Sequence, residues 1–222
     1  MLFEQIAHFR ALAPDMAVLI VLNRARLWHK HGMPRRTAPS DRSRKPLGAA
    51  KLDELALAYL ARFATSRAKL TRYLARKVRE SEWIDENDAM AACEAIAERM
   101  ERLGYLDDRQ YAAMRGRAMT GRGLGVRRVK AQLYADGIAE EDSGAAIAAA
   151  EGAAFTAAID FARRRRFGPF AVRPSDDPKQ RERQLAAFLR AGHSLAIARR
   201  ILAVAPGDEA ALAALDDDAM LD

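Results

Sequence analysis

Apolar side chains recur every three or four positions from Leu52 to about residue 205, and this period constrains the fold more than any other feature. Such spacing places the residues along one stripe of an α-helix, whereas a strand would alternate apolar and polar residues. The clearest stripe consists of Leu52, Leu55, Ala56, Tyr59, Leu60 and Phe63. Strand-forming residues are also scarce, since Val, Ile and Thr together number 21 against 48 Ala and 23 Leu. The sequence therefore predicts an all-α protein with no sheet.

The helical segments follow one another in sets of three. In the second helix of each set, Leu74, Leu133 and Phe188 occupy matching places, 59 and 55 residues apart. We predict three tandem three-helix repeats that form an elongated, curved helical array. The predicted domains are a basic, disordered N-terminal extension at 1–51, repeat 1 at 52–106, repeat 2 at 107–152, repeat 3 at 153–205 and an acidic C-terminal tail at 206–222.

Capping residues mark several helix ends. Short polar side chains at a helix start accept hydrogen bonds from free backbone N–H groups, and a glycine just past the end adopts the left-handed conformation. The predicted N-caps are Thr65 or Ser66 and Asp107 or Asp108, and the predicted terminal glycines are Gly104, Gly137 and Gly192.

The net positive charge belongs to the N-terminal segment. Residues 1–51 carry ten Lys/Arg and three Asp/Glu, whereas residues 52–222 carry 27 of each sign. Residues 34–51 contain three Pro among Ser, Thr and basic residues, a composition that predicts a disordered tail. The longest apolar run, Met16–Leu22, is far shorter than the ~20 residues that a membrane span needs. We predict neither a membrane segment nor a signal peptide, and leave open whether the natural start is Met1 or Met33.

Basic residues in the rest of the chain are segregated from acidic ones. Seven lie between Arg62 and Arg79 and six between Arg115 and Lys130, with no acid in either segment. On their helices, several point away from the apolar stripe. A solvated face is one interpretation, and a binding surface for an anionic partner is the other, because solvated faces usually mix charges of both signs. The candidate partner-binding or DNA-binding residues are Lys69, Arg72, Arg76, Arg79, Arg115, Arg117, Arg127, Arg128 and Lys130.

Other candidate sites favour structural interpretations. The glycine-rich segment 121–125 lacks a preceding strand and the Lys-Ser/Thr ending of a phosphate-binding loop, so a turn between helices is favoured. His29 and His31 are the only neighbouring histidines, and they lie in the extension. The lone Cys93 lies on an apolar helical face and excludes an internal disulfide, which favours a cytoplasmic protein. We therefore predict no catalytic residue, no metal site, no cofactor and no small-molecule substrate.

Three segments resemble the signature of the RecX family of bacterial regulatory proteins. They are SRAKLTRYLARK, RLGYLDDRQYA and GRGLGVRRVKAQLYADGI. The resemblance runs from Leu52 to Ala203 and is looser in the third repeat. Its motif residues are Gly104, Tyr105, Leu106, Asp107 and Asp108.

The resemblance implies a cytoplasmic protein that is not an enzyme, and we also predict a monomer. Its implied partner is the filament of the RecA recombinase on DNA. It implies binding in the filament groove, with inhibition of filament growth, strand exchange, ATP hydrolysis and stimulated self-cleavage of repressors. Weak binding to single- or double-stranded DNA is also expected. The alternative is a helix-turn-helix-like nucleic-acid-binding protein that acts without a recombinase, because three-helix units with a basic second helix also resemble such modules.

Overall fold

The computed structural model describes residues 44–174 and 177–219. Ten α-helices and one short 3-10 turn make up nearly all the regular structure of these residues, which confirms the all-α prediction. Residues 1–43 are outside the described part of the chain. The predictions that fall there are the disordered extension up to residue 43, the Met16–Leu22 run, the start at Met33, and His29 with His31.

The helices fall into three groups of three. The first group is α1 (Ala49–Leu60), α2 (Arg67–Glu80) and α3 (Ala89–Arg102). The second is α4 (Asp108–Thr120), α5 (Val126–Asp136) and α6 (Glu140–Gly152). The third is α7 (Ala154–Arg165), the 3-10 turn Gly168–Phe170, α8 (Pro178–Ala191) and α9 (Leu195–Ala203). A further helix, α10 (Glu209–Ala219), occupies the segment predicted as an acidic tail.

Each group buries its own apolar core. Leu74, Leu133 and Phe188 belong to three different core clusters and are 0, 1 and 0% exposed. Their matching places in sequence thus correspond to matching places in the structure, on the second helix of each group. Leu124 is half-buried and packs against both the second and the third core. We refer to the three groups as repeats 1, 2 and 3. The elongated, curved form of the array stays a prediction.

The helix ends use the residue types that the sequence indicated. Ser66 caps α2 by accepting a hydrogen bond from the Lys69 N–H at 3.3 Å, and Asp107 caps α4 by accepting from the Gln110 N–H at 2.8 Å. The glycines after α3, α5 and α8 have left-handed φ values of 76°, 78° and 95°, at Gly104, Gly137 and Gly192. Each helix is therefore limited by local chemistry as well as by packing.

The prediction of no sheet is wrong in one detail. Pro46–Leu47 (β1) pairs in parallel with Glu82–Trp83 (β2) over two residues on each side. Leu47 is only 4% exposed and joins the core of repeat 1, so residues assigned to the extension pack on this repeat. A two-residue pairing leaves no alternation that sequence periodicity could detect.

The second helices of the repeats meet head to tail. At the junction of repeats 1 and 2, the Ser66 hydroxyl at the start of α2 donates to the carbonyl of Asp136 at the end of α5, at 2.6 Å. At the junction of repeats 2 and 3, the N–H of Gly125 at the start of α5 donates to the carbonyl of Ala191 at the end of α8, at 2.9 Å. Helix α5 therefore contacts α2 with its C-terminus and α8 with its N-terminus.

Candidate interaction surface

The nine basic candidates lie on three helices of repeats 1 and 2. Lys69, Arg72, Arg76 and Arg79 are on α2, Arg115 and Arg117 on α4, and Arg127, Arg128 and Lys130 on α5. The structure divides them into a group that lies at the junction of repeats 1 and 2 and a group that faces solvent.

The first group surrounds a buried carboxylate, Asp136, which is 4% exposed. Tyr111 O–H donates to its Oδ2 at 2.8 Å, and Gln132 Nε2 donates to its Oδ1 at 3.0 Å. Lys69 Nζ lies 3.4 Å from Oδ1, and Arg115 Nε lies 3.7 Å from Oδ2. A carboxylate without these partners would be very costly to bury, so the four side chains fix its position.

The electrostatics of this cluster favour a charged pair. Burial acts to raise the pKa of Asp136, but the hydrogen bonds from Tyr111 and Gln132 and the nearby Lys69 ammonium outweigh it and lower that pKa below its usual value. Burial acts in the opposite direction on Lys69, whose pKa is nevertheless raised by the Tyr111 hydroxyl and by Asp136. Burial also raises the pKa of Tyr111, which keeps the phenol protonated as a donor. The cluster is thus a charge-assisted link between repeats 1 and 2.

Arg72 makes a second link at the same junction. Its Nη1 and Nη2 both donate to the carbonyl of Ala135 at 3.1 Å, and its Nε donates to the carbonyl of Ala68 at 3.2 Å. A guanidinium at the C-terminal end of α5 also complements the negative end of that helix dipole.

Lys69, Arg72 and Arg115 therefore have contacts within the protein that the sequence pattern does not indicate. The Lys69 and Arg115 side chains are only 33% and 35% exposed. Helical periodicity places Lys69 and Arg72 opposite the apolar stripe of α2, and it does not show that the end of α5 covers part of that surface. Arg115 lies one turn after Tyr111, on the apolar side of α4.

The second group faces solvent. Arg76, Arg79, Arg117, Arg127 and Arg128 are all exposed. Lys130 is exposed as well and pairs with Glu151, with 2.8 Å between Nζ and Oε1.

Arg76 is held in place by an aromatic stack. Its guanidinium carbon lies 5.6 Å from the centre of the Tyr73 ring, and that ring stacks on Tyr59 at 4.3 Å. Its Nε also lies 3.8 Å from a carboxylate oxygen of Glu80, one turn further along α2. Arg76 is thus exposed to solvent while its guanidinium contacts the Tyr73 ring and lies near Glu80.

The family-motif residues turn out to have distinct structural roles. Gly104 ends α3, and Leu106 is 4% exposed in the core of repeat 1. Asp107 caps its own helix, whereas Asp108 Oδ1 accepts a hydrogen bond from the Arg67 N–H at 2.9 Å, at the first turn of α2. The acidic pair therefore caps two helices of different repeats. Tyr105 is 59% exposed, and packing does not explain its presence.

Burial raises the pKa of Asp108, and the negative charges of Asp142 and Glu101 act in the same direction. The hydrogen bond from the Arg67 N–H opposes these effects without cancelling them. Both motif carboxylates accept hydrogen bonds from backbone N–H groups at helix starts, as expected of capping residues.

The remaining candidates have structural surroundings too. Cys93 is 0% exposed, and burial raises the pKa of its thiol, which fits a small core residue. The 121–125 turn connects α4 to α5, and a Cβ at Gly125 would lie 2.4 Å from the Gly192 carbonyl oxygen. Across the described residues, no group of three or more His, Cys, Asp or Glu side chains could hold a metal ion.

Among the described residues, one bent pair of segments has the length and apolar composition of a membrane span. Within residues 44–174 and 177–219, no single helix is long and apolar enough to cross a membrane. The Glu140–Gly152 and Ala154–Phe170 segments meet the length and composition criteria together, with a bend of 62° between them.

Sequence reasoning missed Asp136 and Tyr134. Asp136 follows Val129 and Leu133 on the apolar stripe of α5, and a carboxylate on such a stripe is the signal that could have identified it. Tyr134 lies on the opposite side of α5 and is 86% exposed, more than any other large apolar side chain that the structure describes. Its place among basic residues was the available signal.

Comparison with known proteins gives sequence relatives and structural neighbours. No family model matches the chain. It is 33% identical over 156 residues to "Regulatory protein RecX" of Myxococcus xanthus (strain DK1622), a match that covers 68% of this chain and 83% of the relative. It is 32% identical over 133 residues to "Regulatory protein RecX" of Agrobacterium fabrum (strain C58), covering 58% and 69%.

Two crystal structures share the fold. One is a structure of the regulatory protein RecX, with a TM-score of 0.52 at 19% identity, and the match covers 69% of this chain and 70% of the other. The second, RecX from Lactobacillus salivarius, has a TM-score of 0.54 at 18% identity, covering 76% and 96%. At these identities the likeness shows the helical architecture alone.

Proposed function

Since the chain belongs to the RecX family of regulatory proteins, we propose that it binds the RecA recombinase filament on DNA and mainly inhibits filament growth, strand exchange and ATP hydrolysis. The observation that carries this proposal from the structure is the set of exposed arginines on α2 and α5, whose ends meet at one junction. Helices that present cations without intervening carboxylates can contact acidic protein surfaces and phosphates.

The proposed contact residues are the exposed ones. Arg127 and Arg128 are the strongest candidates, because neither forms an ion pair within the described residues and both adjoin the junction of repeats 2 and 3. Arg76, Arg79 and Arg117 extend the set on the neighbouring helices. Lys69 and Arg72 support the surface indirectly, by holding repeat 1 against repeat 2. Arg115 lies close to the same Asp136 carboxylate from within repeat 2.

The test is the rate of ATP hydrolysis by RecA on single-stranded DNA. We expect the protein to lower this rate when it is present at less than one copy per recombinase subunit, and to hydrolyse no nucleotide by itself. The double variant Arg127→Glu with Arg128→Glu should melt normally and inhibit less, with a further loss of inhibition at raised salt, because charged contacts are lost at the interface only.

A charge-matched control is Lys51→Glu with Arg102→Glu, whose parent side chains are both 63% exposed and lie on α1 and α3. This control should inhibit like the parent. Unchanged ATP hydrolysis in the presence of the parent protein would contradict the proposal. If the parent then bound duplex DNA with a steep salt dependence, the helix-turn-helix-like alternative would be favoured.

A further inference from the structure

The outward face of α5 combines an exposed tyrosine with exposed arginines. Residues advance by ~100° each along an α-helix, so Arg127, Ala131 and Tyr134 fall on one line, with Arg128 and Ala135 beside it. All five are exposed, and the tyrosine is 86% exposed. We name this set the tyrosine–arginine face.

This face carries no carboxylate. The only acidic residue of α5 is Asp136, which is buried on the other side of the helix. On one flank of the face, Lys130 is paired with Glu151. Arg127 and Arg128 have no ion-pair partner in the described part of the chain, so both guanidinium groups can accept an anionic ligand without losing an existing salt bridge.

A further cation adjoins the C-terminal end of the face. Two hydrogen bonds hold the guanidinium of the exposed Arg72 at the carbonyl of Ala135, the residue that follows Tyr134. A side chain that is already ordered loses little entropy on binding, so Arg72 is prepared for contact with an anion. The exposed aromatic ring thus has cations at both ends of its helix.

We propose that the tyrosine–arginine face binds single-stranded nucleic acid, with a base stacked on Tyr134 and phosphates contacted by Arg127, Arg128 and Arg72. Stacking aromatic side chains within a basic surface are the usual means of holding a single strand without sequence preference. The small side chains of Ala131 and Ala135 leave room for a flat base beside the ring. A duplex keeps its base faces covered, and an acidic protein surface would use the arginines while leaving the ring unexplained.

This inference rests on the proposed function, because the single strand that the face would contact is the DNA of the recombinase filament. The test, however, uses no recombinase. Fluorescence anisotropy of a labelled thymidine oligonucleotide measures binding of the full chain at several salt concentrations, with a blunt duplex of equal length in parallel.

Tyr134→Ala should weaken binding of the oligonucleotide roughly 5- to 160-fold, which corresponds to the loss of about 1–3 kcal/mol for one stacked base. Tyr134→Phe should bind like the parent, since it keeps the ring. Val172→Ala, at another position whose parent side chain is 79% exposed, should also bind like the parent. Arg127→Ala should reduce the slope of log affinity against log salt by about 0.7, whereas Tyr134→Ala should leave that slope unchanged.

Equal binding by the parent and Tyr134→Ala would overturn the inference, as would an equal loss on the duplex or the absence of measurable binding at low salt. These outcomes are separate from failure of the proposed function. A parent protein that leaves RecA activity unchanged would refute the recombinase proposal, while the dependence on Tyr134 could still hold.

Discussion

The Ser66 hydroxyl donates a hydrogen bond to the backbone carbonyl of Asp136 at 2.6 Å, across 70 positions of sequence. The same residue Ser66 accepts from the Lys69 N–H, and the same residue Asp136 pairs with the Lys69 ammonium. One N-cap and one buried carboxylate thus join two repeats. At the next junction, the corresponding contact uses backbone groups of Gly125 and Ala191. The first junction therefore uses side-chain groups at this place, whereas the second brings two main chains into direct hydrogen-bond contact.

The Asp136 cluster predicts unequal effects for two basic residues. Lys69→Ala leaves Asp136 buried with one charged partner fewer and should lower the free energy of unfolding by about 1–3 kcal/mol. This is less than for a fully buried pair, because the Lys69 side chain is 33% exposed. Arg127→Ala should change it by no more than about 0.5 kcal/mol. Urea unfolding of both variants checks this, and equal effects would contradict the role given to the cluster.

The two motif aspartates should protect different helices. Asp107→Ala removes the cap of α4 and should speed exchange of the Gln110 amide hydrogen, whereas Asp108→Ala should speed exchange of the Arg67 amide in the neighbouring repeat. Each change should cost about 1 kcal/mol of stability. Hydrogen exchange followed by NMR resolves the two amides. If the Arg67 amide exchanged as slowly in Asp108→Ala as in the parent, its hydrogen bond to Asp108 would not stabilise the protein.

Two glycines with similar backbones should respond differently to alanine. Both Gly104 and Gly192 have left-handed φ values, so either substitution should cost about 1–2 kcal/mol in backbone strain. A Cβ at Gly104 meets nothing within 4 Å, whereas at Gly192 it would lie 2.4 Å from the Arg128 nitrogen. Gly192→Ala should therefore cost about 1–3 kcal/mol more than Gly104→Ala. Denaturant midpoints measure the difference, and equal losses would show that the junction of repeats 2 and 3 can open without cost.

The features that sequence could predict are those set within one helix. Period, caps and terminal glycines located the helices, and the matching places of Leu74 and Leu133 located the second helices of two groups. The roles of Lys69 and Arg72 depend on residues from the next repeat, and that of Arg115 depends on a residue of another helix, Asp136. The apolar period of a single helix does not show which other elements cover it. The pairing of Pro46–Leu47 with Glu82–Trp83 was missed for the same reason, since it depends on contact between distant segments.

The stability of the protein should depend on pH through His193, which is 2% exposed and packs against Phe161 and Phe188. Its Nε2 is 3.0 Å from the carbonyl oxygen of Gly123, so this nitrogen carries the proton and donates from repeat 3 to repeat 2. Burial lowers the pKa of His193 from its ordinary value of 6.5, and the hydrogen bond to Gly123 only partly opposes this effect. The imidazole therefore stays neutral in the folded protein at a pH where it becomes charged in the unfolded chain.

A pKa that is lower in the folded state means that the unfolded state binds more protons below pH 6.5. The contribution of His193 to stability should thus be complete at higher pH and should decline as the pH falls below that value. The carboxylate of Asp136, with a pKa lowered from 3.8, loses its own contribution only at much lower pH. Urea unfolding between pH 8 and pH 5 should show a falling midpoint for the parent and a smaller fall for His193→Gln, whose amide can still donate to Gly123 but does not titrate. An equal fall in both proteins would assign the pH dependence to other groups.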